Sequence, residues 1–160
     1  MENNYYVPAQ IIENNLKGAV GKANLKLYKM IMMGFFAGMF IAIGAEGSNL
    51  AVHTVDNFGL AKTLAGCIFP VGLMMLSIIG AELFTGNCLL TIPLLEKEIT
   101  VGGMLKNWVV VYIGNLIGGL LVGAGVAFSH QPSLFNNGMA VSVLSTAASK
   151  CSMPFSDAFI

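Results

Sequence analysis

The stretch GAELFTGN at residues 80–87 interrupts an apolar segment that begins near Thr63 and resumes over Cys88–Leu95. A hydrocarbon core of roughly 30 Å requires about 20 apolar residues in a helix. The apolar piece before the stretch barely reaches that length, and the piece after it is too short to cross alone. We therefore predict one membrane crossing over residues 63–95, built from two half-helices with a non-helical break near residues 82–87.

The predicted break places polar main chain at membrane depth, where protein or a cavity must satisfy it. Broken helices of this kind often mark a substrate path. The hydroxyl of Thr85 can cap the second half-helix, a role that is compatible with facing such a path. We expect Glu82 to hydrogen-bond loop amides or to cap the half-helix, because exposed backbone there needs a partner. A proton site is the alternative for Glu82.

The composition of the whole chain agrees with a membrane location. Of 160 residues, 56% are hydrophobic and 10% are charged, against about 25% charged in an ordinary soluble domain. The mean hydropathy is +0.76, eight lysines balance eight carboxylates, and arginine is absent. These figures exclude a disordered chain and a nucleic-acid-binding protein. They also exclude a water-soluble globule, because so few charges cannot cover its surface.

Further spans flank the broken crossing. We predict spans over residues 30–52 and 107–128, and a fourth that begins near residue 154. Glycines in the first and third spans allow close helix packing. They are Gly34, Gly38, Gly114, Gly118, Gly119, Gly123 and Gly125.

Four polar residues inside the predicted spans are expected to serve structure. They are Glu46, Glu82, Asn87 and Asn115. Asn115 lies among the glycines of the third span and should hydrogen-bond a neighbour. Glu46 interrupts the first span, and its polar flank must face protein or a water-filled cavity. We expect Glu46 to have the same structural role as Glu82.

Residues 1–29 contain a predicted amphipathic helix, which Pro8 can open at its first turn. Its apolar positions recur at helical spacing on one face. They are Ile12, Leu16, Ala19, Val20, Ala23 and Leu27. This pattern favours a helix on the membrane surface; a solvated or partner-packed helix is the alternative. A signal peptide is not expected, because the lysines are spread out and no small-residue cleavage site follows.

The lysines set the expected orientation. Residues 1–29 and a charged turn at 96–106 together hold six of the eight lysines. The connections 53–62 and 129–150, both predicted as loops, hold one each. The positive-inside rule places the N-terminus and the turn in the cytoplasm and the two connections outside. We expect a multi-pass protein of the cytoplasmic (inner) membrane.

Several motifs resemble those of the formate/nitrite transporter family. FPVGL at residues 69–73 and GAELFTGN at 80–87 resemble the broken second helix of that family. KNW at 106–108 and YIGNL at 112–116 resemble its third helix. The resemblance implies an aquaporin-like helical bundle of six spans in two inverted three-helix repeats, assembled as a homopentamer with one pore per protomer. This chain then covers about one repeat and the start of a fourth span.

The resemblance also implies a pore lined by six residues of this chain. They are Phe69, Leu73, Leu83, Phe84, Thr85 and Lys150. The first two would form an outer constriction and the next two an inner one, and hydrated ions cross such dry constrictions poorly. Thr85 would face the pore, and Lys150 would match the vestibule lysine of the family, which attracts anions. Without the resemblance, the four apolar residues read as core packing and Lys150 as an interfacial lysine.

The pore of the family also contains a central histidine on a fifth span, which is thought to exchange a proton with the substrate. This chain reaches only the start of a fourth span, and His53 and His130 lie at span ends and do not match that histidine. We therefore expect either a fragment of a longer product or a truncated relative.

The resulting expectation is a channel or transporter, not an enzyme, that passes small monovalent anions of weak acids such as formate or nitrite. A hydrosulfide channel of the same family is an alternative. Expected partners are the anion, membrane lipid and further copies of the chain, without a cofactor, a metal or nucleic acid. A membrane anchor or a haem-bearing subunit of a redox complex is the alternative from another class. Paired histidines would support it, but His53 and His130 are both expected at the outer face.

Overall fold

The computed structural model describes residues 5–159, which form helices joined by short connections. The α-helices are α1 (Pro8–Ala23), α2 (Leu27–Val52), α3 (Phe58–Ile68), α4 (Pro70–Ile79), α5 (Phe84–Asn87), α6 (Thr91–Leu95), α7 (Val101–Phe128), α8 (Leu134–Cys151) and α9 (Phe155–Phe159). Two 3-10 helices occupy Cys88–Leu90 and Gln131–Ser133. No strand occurs within residues 5–159, and the predicted all-α class is confirmed.

Three helical stretches are long and apolar enough to cross a membrane. They are Leu27–Val52, Phe58–Ile79 and Val101–Phe128. The shortest has 22 residues, which at 1.5 Å per residue gives a length of about 33 Å. A shorter apolar helical stretch, Phe84–Leu95, follows the second. Helices of this length and composition are those of an integral membrane protein.

Two predicted connections are shorter than expected. α3 begins at Phe58 rather than near residue 63, because Asn57 caps it: its side-chain oxygen accepts a hydrogen bond from the backbone N–H of Leu60 at 2.9 Å. α7 begins at Val101, inside the predicted turn 96–106. Both spans therefore begin about one to two helical turns earlier than hydropathy alone indicates.

The prediction of a loop over residues 129–150 is wrong, because α8 occupies Leu134–Cys151. Turn-forming residues near its start favour a loop by their type. Two of them, Asn136 and Asn137, take a left-handed backbone with φ 56° and 64°, a conformation that asparagine tolerates. The helix continues through both, so they mark an irregular first turn rather than a loop. The short helix α9 begins directly after Pro154, where the start of a fourth span is predicted.

The chain divides into two compact units. The first contains the chain up to Met39 together with Leu76–Gly119. The second contains Phe40–Met75 and the chain from Leu120 onward.

The core of the first unit joins α1 to the segment after the break. Ala19 and Ala23 of α1 are buried against Leu90 and Met104. Leu94, Ile99 and Trp108 pack around this cluster. Part of the predicted apolar face of α1 therefore packs on protein. Its location on a membrane surface stays a prediction.

Glycines also let α2 and α7 approach closely within the first unit. A Cβ added at Gly38 would fall inside the contact distance of the backbone carbonyl of Asn115. One added at Gly118 would do the same to the carbonyl of Phe35. The packing role predicted for Gly38 and Gly118 is confirmed, whereas Gly123 and Gly125 have no atom within 4 Å of an added Cβ.

Glycines also allow close helix packing in the second unit, where α2 meets α4. A Cβ on Gly44 would lie 2.8 Å from the carbonyl oxygen of Phe69, and one on Gly72 would lie 2.6 Å from that of Phe40. The backbone of Phe69, a predicted pore residue, is thus packed directly on α2.

The exposed face of α1 carries an ion pair with a defined pH dependence. Lys17 Nζ lies 2.7 Å from Glu13 Oε1, and this hydrogen bond lowers the pKa of Glu13 below its usual value. A depressed pKa stabilises the fold above the ordinary pKa of glutamate, and the effect is lost as the pH falls through the lower, folded value. Both side chains are exposed, so solvent screens the pair. We expect Lys17→Ala to leave the Tm unchanged but to raise the Glu13 pKa to its ordinary value in an NMR titration. An unmoved Glu13 titration would contradict this assignment.

Candidate functional site

The break lies between α4 and α5, in the first unit, and spans residues 80–83. Gly80 has a φ of 69°, in the left-handed region that glycine enters without steric cost. Leu83 is extended, with φ −102° and ψ 133°, and directly precedes α5. The sequence predicts the break near residues 82–87, whereas the structure has it at residues 80–83, because the helix resumes at Phe84. Gly80, with its left-handed backbone at the end of the apolar run, marks where the break begins.

Main-chain groups of the break are paired with protein. The N–H of Ala81 donates to the carbonyl of Leu76 at 2.9 Å, and the N–H of Glu82 donates to the carbonyl of Met33 at 3.2 Å. The N–H of Phe84 donates to Asn115 Oδ1 at 2.8 Å. This pairing allows non-helical backbone to exist away from water.

Asn115 of α7 joins three segments of the first unit. Its Nδ2 donates to the carbonyl of Gly34 in α2 at 2.7 Å and to the carbonyl of Glu82 in the break at 2.9 Å. Its Oδ1 accepts from the Phe84 N–H. The prediction that Asn115 bonds a neighbour is confirmed. The sequence does not predict that the Asn115 side chain also bonds the main chain of the break.

The carboxylate of Glu82 does not serve the amides of the break, contrary to expectation. The side chain is buried, and its Oε2 lies 3.3 Å from Nζ of Lys22 in α1. Because Asn115 already occupies the Phe84 amide, the carboxylate is left to pair with a cation, and a buried carboxylate requires such a partner.

Asn87, at the end of α5, is fully buried in a polar network. Its Oδ1 accepts from Lys22 Nζ at 3.2 Å, and its Nδ2 donates to Asn107 Oδ1 at 2.8 Å. Its carbonyl accepts from Trp108 Nε1 at 2.8 Å, and Asn107 Nδ2 donates to the carbonyl of Lys22 at 3.1 Å. The network ties α1 to the segment after the break and supports the structural role expected of Asn87.

Sequence reasoning missed three members of this network. They are Lys22, Asn107 and Trp108. Two of them stand in the KNW motif that carries part of the family resemblance. Lys22 had no such signal, because it reads as one of several lysines on an amphipathic helix.

The three pore residues predicted at the break sit together. Leu83 and Phe84 are half-buried and Thr85 is exposed. The ring of Phe84 meets Tyr112 and Trp108 edge to face, with centroid distances of 5.5 and 6.1 Å. Edge-to-face pairs of this kind fix the orientation of a ring. The residue that caps α5 is Leu83, which has no hydroxyl, so the capping role considered for Thr85 does not occur.

The other predicted pore residues belong to the second unit. Phe69 joins α3 to α4 and is 44% exposed; Leu73, one turn later, is 49% exposed. Lys150 is exposed in the last turn of α8. Each of the three presents its side chain at the surface of its unit.

Glu46 also lies in the second unit, and the expectation that its carboxylate hydrogen-bonds backbone amides or caps a half-helix is wrong. Helix α2 continues through Glu46 to Val52, so the surrounding amides are used within the helix. The Oε1 atom of Glu46 is buried and has no hydrogen-bond partner within residues 5–159. Glu46 lines a cavity.

Comparison with known proteins identifies the family to which this chain belongs. Three apolar helices of spanning length and a break sealed by side chains define a helical integral membrane protein. The family model described as "Formate/nitrite transporter" matches residues 9–160, and the chain belongs to this family.

Curated relatives agree with that assignment. The chain is 34% identical over 143 residues to "Formate channel FocA" of Haemophilus influenzae, covering 88% of this chain and 50% of the relative. It is 34% identical over 136 residues to "Formate channel BtFdhC" of Bacillus thuringiensis, with coverages of 81% and 51%. It is 37% identical over 106 residues to "Probable formate transporter" of Methanothermobacter thermautotrophicus, with coverages of 63% and 39%. The chain thus spans about half the length of the curated relatives it matches.

Proposed function

We propose that the chain forms part of a channel or transporter that passes small monovalent anions of weak acids, formate or nitrite, across the cytoplasmic membrane. One observation carries the proposal: in a member of this family, a span is interrupted at residues 80–83 and its main chain is paired by Asn115. Hydrosulfide is the alternative substrate within the family. The relatives named as formate channels favour formate first.

The break supplies the inner part of the proposed path. Moving a bare anion into an apolar medium is very costly, so a path must be short, shaped and partly polar. Leu83 and Phe84 form the apolar constriction, and the contacts of Phe84 with Trp108 and Tyr112 hold that ring in place. Thr85, exposed beside them, offers a hydroxyl to the passing anion.

The family resemblance assigns the outer part of the path to three further residues. Phe69 and Leu73 carry exposed apolar side chains, which suit a dry constriction. Lys150 adds a positive charge that raises the local concentration of anions at the mouth. We assign the N-terminus to the cytoplasm by the lysine distribution and the assembly to a homopentamer by the family resemblance.

A flux assay tests the proposal. The protein, expressed in its native length, is reconstituted into liposomes, and the uptake of formate, nitrite and hydrosulfide is followed separately. We expect formate or nitrite uptake well above that of empty liposomes. Flux of hydrosulfide alone would favour the alternative, and flux of none of the three would refute a channel. A haem absorbance band in the purified protein would instead favour a redox subunit.

Lys150 can be tested in the same assay. Lys150→Ala should lower the uptake of anions by roughly tenfold at low ionic strength, because a charged mouth concentrates its substrate. The effect should shrink at high salt, where the Debye length is short, and Lys150→Arg should retain most of the flux. Lys62→Ala is the matched control, since Lys62 lies over the Phe58 ring. Equal losses in the Lys150 and Lys62 variants would contradict a specific vestibule role.

A further inference from the structure

A cavity in the second unit has no part in the proposed anion path. One side is lined by Glu46 of α2, and the remaining walls come from the end of α7, the following 3-10 helix and α8. These wall residues are Gly123, Val126, Ala127, Pro132, Met139, Ala140, Val143 and Leu144. The cavity volume is about 390 Å³, within the size range of small-molecule sites.

Glu46 brings one unpaired acidic group to this cavity. Its Oε1 is buried without a hydrogen-bond partner in the part of the chain that the structure describes. The ion pairs formed there join Glu13 to Lys17 and Lys22 to Glu82, so none of them neutralises Glu46. A buried acceptor without a donor is costly, so the Glu46 carboxylate would gain from pairing with a donor group that enters the cavity.

The rest of the cavity is apolar. Val143 and Leu144 of α8 present aliphatic surface, and Ala140 on the same helix is small enough to leave room. On α7, a Cβ added at Gly123 would meet no atom within 4 Å. The space is therefore complementary to a molecule with one cationic donor group and a short aliphatic body.

We propose that this cavity binds a small amphiphilic organic cation of the primary alkylammonium class. The ammonium group pairs with the Glu46 carboxylate and neutralises its charge, and the alkyl chain packs against Val143 and Leu144. Charge complementarity selects this ligand over a lipid acyl chain, which would leave the carboxylate unpaired, and over the anions of the transport path, which the carboxylate repels. The proposal does not depend on which anion is transported.

Equilibrium dialysis with radiolabelled n-hexylammonium and the purified protein in detergent tests the site. We expect saturable binding at one site that Glu46→Gln weakens by about tenfold or more, because the charge-assisted hydrogen bond is lost while the shape is kept. Glu13→Gln, which removes an exposed carboxylate on α1, is the matched control and should bind as the unmodified protein does. The neutral probe n-hexanol should show no dependence on Glu46.

A second variant tests the cavity without touching the carboxylate. Gly123→Leu fills space on the α7 side and should abolish n-hexylammonium binding while Glu46 remains in place, and it serves alone should Glu46→Gln fail to fold. The proposal is overturned by non-saturable uptake, by equal binding in the unmodified protein and Glu46→Gln, or by undiminished binding in Gly123→Leu. Non-saturable uptake would show that the probe merely partitions into detergent, and undiminished binding in Gly123→Leu would place the probe elsewhere.

Discussion

Gly118→Ala should strongly destabilise the first unit, whereas Gly119→Ala should leave its stability unchanged or slightly raised. A Cβ on Gly118 would press into the carbonyl of Phe35 and lie 2.9 Å from the backbone nitrogen of Met39. These are main-chain atoms of a helix, so no side-chain rotation relieves the clash. Overpacking usually lowers the free energy of unfolding by about 1–3 kcal/mol. Because backbone atoms stand on the opposing side, we expect a loss of about 3 kcal/mol or more.

The neighbouring residue provides a matched control on the same helix. A Cβ on Gly119 would find its nearest atom, the carbonyl oxygen of Gly38, at 3.9 Å, which is ordinary contact. Alanine is also favoured over glycine in a helix by about 0.5–1 kcal/mol. Gly119→Ala should therefore match or slightly exceed the unmodified protein in stability.

The comparison is read from the thermal unfolding of both variants in the same detergent, together with their elution in gel filtration. Gly38→Ala tests the same contact from α2, because its Cβ would fall within the backbone of Asn115. Equal melting temperatures for Gly118→Ala and Gly119→Ala would mean that α2 and α7 are not as close as described.

Asn115→Ala should release the break and abolish anion flux. The substitution leaves the Phe84 N–H and the carbonyls of Gly34 and Glu82 without their side-chain partner. Each buried polar group left unpaired costs about 1–3 kcal/mol. For three such groups we expect the free energy of unfolding to fall by about 3–9 kcal/mol, and the break should no longer hold one conformation. Asn115→Asp should also fail, because a carboxylate would face two carbonyl oxygens.

Amide hydrogen exchange over residues 80–87 provides a readout specific to the break. Exchange there should accelerate sharply in Asn115→Ala and much less elsewhere. Asn24→Ala is the control, since Asn24 is exposed and its side chain donates only to the Val20 carbonyl of its own helix; it should change stability by less than about 1 kcal/mol. Unchanged exchange of the Phe84 amide in Asn115→Ala would show that Asn115 does not hold the break.

The start of α8 shows where sequence patterns misled. Asn136 and its turn-forming neighbours are loop signals by type, yet the backbone accommodates Asn136 in the left-handed region and the helix proceeds. A residue-type propensity of this kind is a weak guide to where a helix begins. Helix α3 likewise begins earlier than hydropathy predicts, because a cap at Asn57 rather than hydrophobicity sets the boundary.

The polar residues of the spans show more clearly what local sequence patterns cannot predict. That Glu82 and Asn115 need partners follows from their chemistry in an apolar segment. Which partner each one finds depends on segments far apart in the chain: Lys22 is 60 positions from Glu82, and Gly34 is 81 positions from Asn115. No spacing rule connects such positions, because side-chain periodicity acts within one helix.

By itself, then, the sequence determined that the chain is helical, that it enters a membrane, that one span is interrupted, and which family its motifs belong to. These properties follow from composition, from the length of apolar runs and from local motifs, which act over a few turns of chain. Only the tertiary structure decided that Asn115 seals the break, that Lys22 neutralises Glu82 and that Glu46 stays unpaired beside a cavity. The physical reason is that hydrogen bonds and ion pairs require atoms within about 3 Å, and only the packing of helices distant in sequence brings those atoms together.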